Sequence, residues 1–571
     1  MTTESTPSTA RGTRVKLEEV LGSVLRAVRS FTAEAVRTAG SPRLLRELAP
    51  LVIALAFAPW LLICVQNYAH GNVWRDTTLL NYAAWCMLHG DRIYSTVSMM
   101  DGPLAFVSHA ILVLVGGFDE SAWRQLDLLF HVLAGGAIGA VLAPRARQYG
   151  LVRKAVWFVV GASMWLTALS GFDFPASLQR EAHYAGLGLL GIALVYRSAD
   201  SSRRKAAIMI CVGALLAGWT PWGKQTAGIY MLLAVLTAWL LPDDATQPRW
   251  WRMRWAAIGI AISVVSILGF VAICGSLRGL WTWFFAYNLD YYRFHDVTRY
   301  RDIVTAAWGH DADENAVLIL MGGIAAIAVR ALPARALAFV IAPMLELASV
   351  VLQHKGWRYQ FIPTNFCAQV CLLLGLAQAW SAEVEAAPQR MVQGVAAVAL
   401  SMYVAYSGIR VVESSVWMHE GEGHLTDAAT TDPMAAAKVL AEHTRSEDKV
   451  FHFGDEPAVL LFARRHPATQ YIVPWMIDLM RHVTVGGDNG VTPAQEARIR
   501  ALEAHNQKDD CALVLADPPP ALVFKDNSVS YPGTISDVFY GMCPAFKDVV
   551  ARRYHEMKSG PFHIYLREDR P

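Results

Sequence analysis

Apolar residues in this chain come in long blocks, broken by polar residues at intervals close to one membrane thickness. Charge-poor runs lie near 48–66, 126–143, 155–172, 182–196, 206–222, 225–241, 255–276, 315–329, 336–353, 359–380 and 391–409. A bilayer core needs about 20 consecutive apolar residues per helix, so these runs predict eleven spans. The run 103–117 is also apolar, but it is short and opens with Gly102-Pro103. It predicts an interfacial or re-entrant helix rather than a further span. Past 411 the blocks shorten. Residues 432–445, 457–464 and 493–504 have helical spacing, while 449–453, 512–516 and 562–566 read as short strands. Helices alternating with short apolar strands predict a small α/β domain.

Near the start, Leu17, Val20, Leu21, Val24, Leu25, Val28 and Phe31 have helical spacing, with Arg26 and Arg29 on other faces. This is either a helix lying on the membrane or a solvated tail with helical character. No signal-peptide core precedes the first span. The predicted organisation is a cytoplasmic tail (1–45), a transmembrane catalytic domain (46–410) and an extracytoplasmic α/β domain (411–571). The fold class is thus a multi-pass α-helical membrane protein of about eleven helices. Interfacial helices occupy its first outer loop, and a C-terminal α/β domain follows the spans.

Charge distribution sets the orientation. With the N-terminus inside, the inner segments 1–47, 144–154, 197–205, 243–254, 330–335 and 381–390 carry 22 Lys and Arg. The outer loops carry about half as many, which fits the positive-inside rule. Counting 103–117 as a span would invert every later loop and break the rule. An odd number of spans places 411–571 outside.

Composition agrees. Of 571 residues, 54% are apolar and 17% charged, where a soluble protein would carry about a quarter charged. The net charge of +2 gives no reason to expect nucleic acid. Cys511 and Cys543 are the one pair in the exported segment. A disulfide is permitted there, although spacing alone does not establish it. The sequence has no Cys-x-x-Cys or His-rich ligand pattern, so no structural zinc site is expected.

The candidate chemistry is one-sided. The loop after the first span carries Arg75-Asp76-Thr77, then Asp91, then Asp101-Gly102-Pro103. Three later span ends on the same side carry Gln179-Arg180-Glu181, Lys224-Gln225 and His354-Lys355-Gly356-Trp357-Arg358. Any one of these cations alone reads equally as an interfacial anchor or a snorkelling side chain. Together they place cations on the side that normally lacks them. Glu346 stands apart, in the middle of an apolar helix, where a carboxylate is either functional or a partner for a polar group on a neighbouring helix. One carboxylate facing a Lys/Arg cluster suffices for glycosyl transfer from a polyprenyl phosphate. The acceptor hydroxyl needs a base. The phosphate leaving group is already weakly basic, and cations stabilise its developing charge.

These residues, in this order, resemble a known family. Asp76, then Ala83-Ala84, Gly90, Tyr94 and Gly102-Pro103-Leu104-Ala105, then Arg124-Gln125-Leu126, is similar to the GT-C superfamily of glycosyltransferases. Gly218, Lys224-Gln225-Thr226, Phe284, Asn288, Tyr291 and His354–Gln360 extend the likeness over about 48–410. Within the superfamily, the protein O-mannosyltransferase and aminoarabinose transferase layouts are nearest. The resemblance implies an inverting transfer from a polyprenyl-phosphate sugar, at an extracytoplasmic site on a bacterial cytoplasmic membrane. It implies Asp76 as the catalytic base. Asp101, Arg180, Glu181, Lys224, Gln225, His354, Lys355 and Arg358 are candidate substrate-binding residues. The acceptor is a glycan, a lipid or a protein. Two departures matter. Thr77 stands where many members have a second acid, and Ser95-Thr96-Val97 follows Tyr94 where many have one. No metal ligands are therefore assigned, and a divalent cation is not firmly expected.

Two other classes stay open at this stage. A transporter would place charges along a membrane pathway, often within internal repeats. A non-catalytic subunit of cell-envelope glycan assembly would share the polytopic form without the chemistry.

Overall fold

The structure is a computed structural model. It describes residues 75–144, 150–170, 178–294, 333–353, 358–379, 424–454, 457–484, 491–526 and 534–569, together with the single positions 48, 51 and 62. The spans expected at 315–329 and 391–409, nearly all of 48–66, and the tail 1–45 lie outside these residues.

Each of the other eight expected spans is a helix. Five helices are long and apolar enough to cross a membrane: Glu120–Leu142, Arg203–Trp222, Arg249–Cys274, Ala334–Gln353 and Tyr359–Gln378. Gly150–Ser170, Arg180–Ser198 and Gly228–Leu240 are the other three described helices at expected spans. The helix Pro103–Gly116 has 14 residues, about 21 Å by its rise.

Close helix contacts come from small residues. A Cβ at Gly139 would meet the Trp157 carbonyl oxygen at 2.1 Å, so the helices Glu120–Leu142 and Gly150–Ser170 meet backbone to backbone there. The end of Gly228–Leu240 is closed by Arg252 of the next helix. Its guanidinium donates to the carbonyls of Ala238, Leu241, Pro242 and Gln247 and pairs with Asp243. Carbonyls at a helix end lack intrahelical donors, and a basic side chain satisfies them.

The C-terminal region is built on one five-stranded mixed sheet, in the order β2-β1-β3-β5-β4. The strands are β1 (Lys449–Phe453), β2 (His466–Pro467), β3 (Ala521–Lys525), β4 (Tyr554–Ser559) and β5 (Phe562–Arg567). β1 runs parallel to β2 and β3, while β5 is antiparallel to β3 and β4. Most of β1 and β3 is buried on both faces, which explains their continuous apolar runs. Phe451, Phe453, Phe524, Phe539 and Phe546 pack against one another over the sheet.

One sequence expectation fails here. Residues 512–516 are not a strand but the end of the helix Pro493–Ala516. That helix starts in a capping box between Thr492 and Gln495, and nothing breaks it before Asp517-Pro518. Its buried residues Ile499, Asn506, Asp510 and Val514 keep a helical period straight through the apolar run. The partner strand for β1 is instead β3, beyond the prolines. β4 was not anticipated, because its burial pattern leaves it mostly outside the core. The disulfide Cys511–Cys543 is formed and closes a separation of 32 residues. By loop-closure entropy it is worth about 3–4 kcal/mol.

This region packs on the first loop of the membrane bundle. Ser98 donates its backbone N–H to the Gln470 carbonyl at 2.9 Å. Tyr287 and Tyr291 donate to the Trp475 carbonyl, and Tyr291 also to Leu479. Arg464 lies over the Phe118 ring. The core of the loop and the core of the sheet are one continuous cluster.

Candidate active site

Asp76 lies in the first turn of the helix Arg75–Leu88 and is half-buried. An acid there is favoured by the helix dipole. The next polar landmark, Asp101, is reached through a loop fixed by Tyr94, whose hydroxyl donates to the Asp101 carbonyl at 2.6 Å. Gly102 then abuts the segment that carries Lys224. A Cβ on Gly102 would fall 1.9 Å from the Trp222 carbonyl oxygen and 3.0 Å from that of Gly223. Only glycine permits this approach, so the Gly102 backbone sets the spacing between the first loop and the Lys224 turn.

Here the charges form an alternating chain. The Asp101 carboxylate pairs with the Arg180 guanidinium. Arg180 Nε is 3.6 Å from Glu181 Oε1, and the same oxygen is 2.8 Å from Lys224 Nζ. The Glu181 side chain is fully buried, while Arg180 and Lys224 keep 18% and 13% of theirs exposed. The cations thus retain a solvent-facing edge that the acid lacks. Asp76 acts electrostatically on both Arg180 and Tyr359, and Tyr292 acts on the same two groups. Glu346 is buried and interacts electrostatically with Lys224 and Glu181. Glu346, in the middle of the helix Leu337–Gln353, therefore belongs to the same cluster. Four carboxylates meet two cations among the described side chains.

Gln225 is a strut here. Its amide donates to the Phe284 carbonyl. Phe284 lies in a π-helical stretch, Leu280–Ala286, a form found as a local bulge and often at functional sites. Asn288, one turn on, donates to Met100 at 2.9 Å and to Phe284 at 2.9 Å. The residue before Asp101 is thereby tied to the π-helical stretch. Asn288 and Tyr359 enter the sequence reading only within the family resemblance, with no role assigned, because polar and aromatic residues at interfaces are common. Of the remaining candidates, His354, Lys355 and the Arg358 side chain lie outside the described residues. The Arg358 backbone begins the turn Arg358–Phe361, directly before Tyr359 on the chain.

A second polar cluster sits deeper. Asp127, His131 and His183 are within 4.8 Å of one another and buried. The His183 Nε2 is 2.5 Å from Asp127 Oδ1, and the Leu178 backbone N–H donates to Asp127 Oδ2. Three such groups resemble a metal site, but Trp165 opposes it. Its indole N–H, which can only donate, donates to His131 Nδ1 at 3.1 Å. A neutral His131 then carries its proton on Nε2, which points at Asp127 from 3.4 Å. A ring nitrogen bearing a proton is not a ligand. The cluster reads as a hydrogen-bonded brace holding the start of the Arg180 helix, and so the Arg180–Glu181 pair, against Glu120–Leu142.

No family model and no curated protein matches the chain. By structure it resembles ArnT from Cupriavidus metallidurans bound to undecaprenyl phosphate, at 12% identity and a TM-score of 0.52. That match covers 91% of this chain and 97% of ArnT. The Archaeoglobus fulgidus oligosaccharyltransferase in its apo form is also similar, at 10% identity and a TM-score of 0.41, over 84% of this chain and 69% of that one. The first of these likenesses, spanning nearly all of both chains, shows that this chain shares the fold of ArnT.

Proposed function

We propose that the chain is an inverting membrane glycosyltransferase, moving a sugar from a polyprenyl-phosphate donor to an extracytoplasmic acceptor hydroxyl. The observation that carries this reading is the junction of Asp76, Asp101, Arg180, Glu181 and Lys224, from separate stretches of chain, into one charged cluster. It occurs within a fold shared with ArnT, whose structure holds undecaprenyl phosphate.

Asp76 takes the acceptor proton as the hydroxyl oxygen attacks the anomeric carbon. The bond from that carbon to the phosphate oxygen breaks, and polyprenyl phosphate leaves with the electron pair. Lys224, with Lys355 and Arg358 of the 354–358 segment, stabilises the charge on the leaving phosphate. His354 adds a hydrogen-bond donor there. An ammonium has three donors, so Lys224 can serve both Glu181 and a phosphate. Asp101 is locked to Arg180, and an ion-paired carboxylate is the weaker base. Its role is to hold Arg180 and the loop. Thr77 in place of a second acid, and Glu181 paired to Lys224, favour cationic side chains over a divalent ion as the counter-charge. The C-terminal region and this site both face the extracytoplasmic side of a bacterial cytoplasmic membrane. The domain limits are those read from the sequence, with 46–410 catalytic and 411–571 an extracytoplasmic α/β domain.

The test is turnover in purified protein. Incubation with polyprenyl-phosphate sugars and an envelope extract should release free polyprenyl phosphate and glycosylated acceptor. Transport of the lipid-linked sugar without bond cleavage would support a transporter instead. Arg358→Lys should weaken donor use, because charge is kept but the bidentate fork is lost.

A further inference from the structure

The last turn of the Asp76 helix carries Cys86, which is buried. The chain then turns back and presents Asp91. Opposite them stands His466, on the edge strand β2, from a part of the chain 375 residues away. A thiol sulfur, a carboxylate oxygen and a ring nitrogen from these three residues all lie within 4.8 Å of one another. His466 Nδ1 and Asp91 Oδ2 share a proton across 2.5 Å. A tetrahedral zinc with bonds of about 2.0–2.3 Å spaces its ligand atoms roughly 3.3–3.8 Å apart, so the ion must displace that proton and part the two side chains by about 1 Å.

The surroundings are rigid. Trp85 packs its ring on His466 at 5.0 Å. Tyr82, one turn before Cys86, donates to the carbonyl of Arg465, the residue preceding the histidine. Arg465 in turn donates to Ala463, Ala441 and Thr444. The backbone on both sides of the cluster is thus held before any ion arrives. Asp91 and His466 keep 14% and 22% of their side chains exposed, which gives a path from solvent.

We propose that Cys86, Asp91 and His466 bind a zinc ion that clasps the first loop to the C-terminal sheet, with water as fourth ligand. A set of thiolate, imidazole and one carboxylate selects zinc over magnesium or calcium, which take oxygen ligands. Cys86 is ten residues after Asp76 on the same helix, about 15 Å along its axis. The ion therefore does no chemistry on the sugar. It fixes the far end of the helix whose first turn carries Asp76.

The experiment uses the full chain in detergent, stripped with a chelator and then titrated with zinc alone or cobalt alone. One zinc per chain is expected by elemental analysis. Cobalt should give a thiolate-to-metal charge-transfer band in the near ultraviolet. Cys86→Ser should lose that band, and His466→Gln should weaken zinc binding by about tenfold or more. Zinc should raise the melting temperature of the stripped wild type more than that of either variant at the same zinc concentration. His466 is partly exposed, so its variant serves even where Cys86→Ser fails to fold. Three results would each overturn the proposal: zinc content in the wild type no higher than in His466→Gln, cobalt bound without the thiolate band, or no effect of zinc on melting.

Discussion

Lys224 Nζ lies 2.8 Å from Glu181 Oε1, joining the turn after one span to the start of another. Removing one partner of such a buried pair typically costs about 3–5 kcal/mol, because the other charge is left without compensation. Lys224→Met should therefore lower stability sharply. The double variant Lys224→Met/Glu181→Gln should recover much of that loss in a melting measurement. It should not recover sugar transfer, since the phosphate loses its cation. Recovery of both would make Lys224 a purely structural residue.

Gly102 makes a backbone contact that no side chain can replace. Gly102→Ala should displace the Lys224 turn from the first loop and reduce transfer more than it reduces stability. The comparison is kcat against melting temperature in the same preparation. Unchanged kcat would show that the spacing of these two segments is not critical.

In the C-terminal region, burial pushes the Asp510 carboxyl up to about 7, and the neighbouring Asp509 adds to the shift. The folded state thus holds a proton that the unfolded state releases near pH 4. Between about pH 4 and pH 7 the unfolded form binds fewer protons, so stability falls as pH rises. The full effect is on the order of 4 kcal/mol. Asp510→Asn should flatten this slope and stabilise the protein at pH 8. Denaturant melts at pH 5 and pH 8 decide it; parallel slopes in the two proteins would refute the assignment.

Sidedness is open to direct labelling. Ser446 is exposed beside β1. In Ser446→Cys, an impermeant maleimide should react in intact cells. Reaction only after lysis would put the C-terminal region on the cytoplasmic side.

Much of the bundle was legible because charge is expensive in hydrocarbon. Gaps between charges therefore marked the helices within a few residues, as at Arg249–Cys274. The chemistry-bearing residue types were legible too, since acids and cations at span ends are few. Their pairing was not. Nothing in the sequence says that Asp101 meets Arg180, or that Glu346 joins the Lys224 cluster, because those contacts depend on tertiary packing. The run 512–516 misled for a related reason. Five apolar or small residues fit a strand or the end of a helix equally well, and only the capping box twenty residues earlier decides between them. Cys86, Asp91 and His466 have no spacing signature, since the cluster forms only when the sheet docks on the first loop.

The role of Asp76 is tested most directly by Asp76→Asn. Asparagine keeps size and polarity and removes basicity. The variant should melt like the wild type and bind the polyprenyl-phosphate donor, while its single-turnover transfer rate falls about 10²–10⁴-fold, the usual cost of losing a general base. Near wild-type transfer by Asp76→Asn, together with its loss in Asp101→Asn, would contradict the assignment and move the base to Asp101.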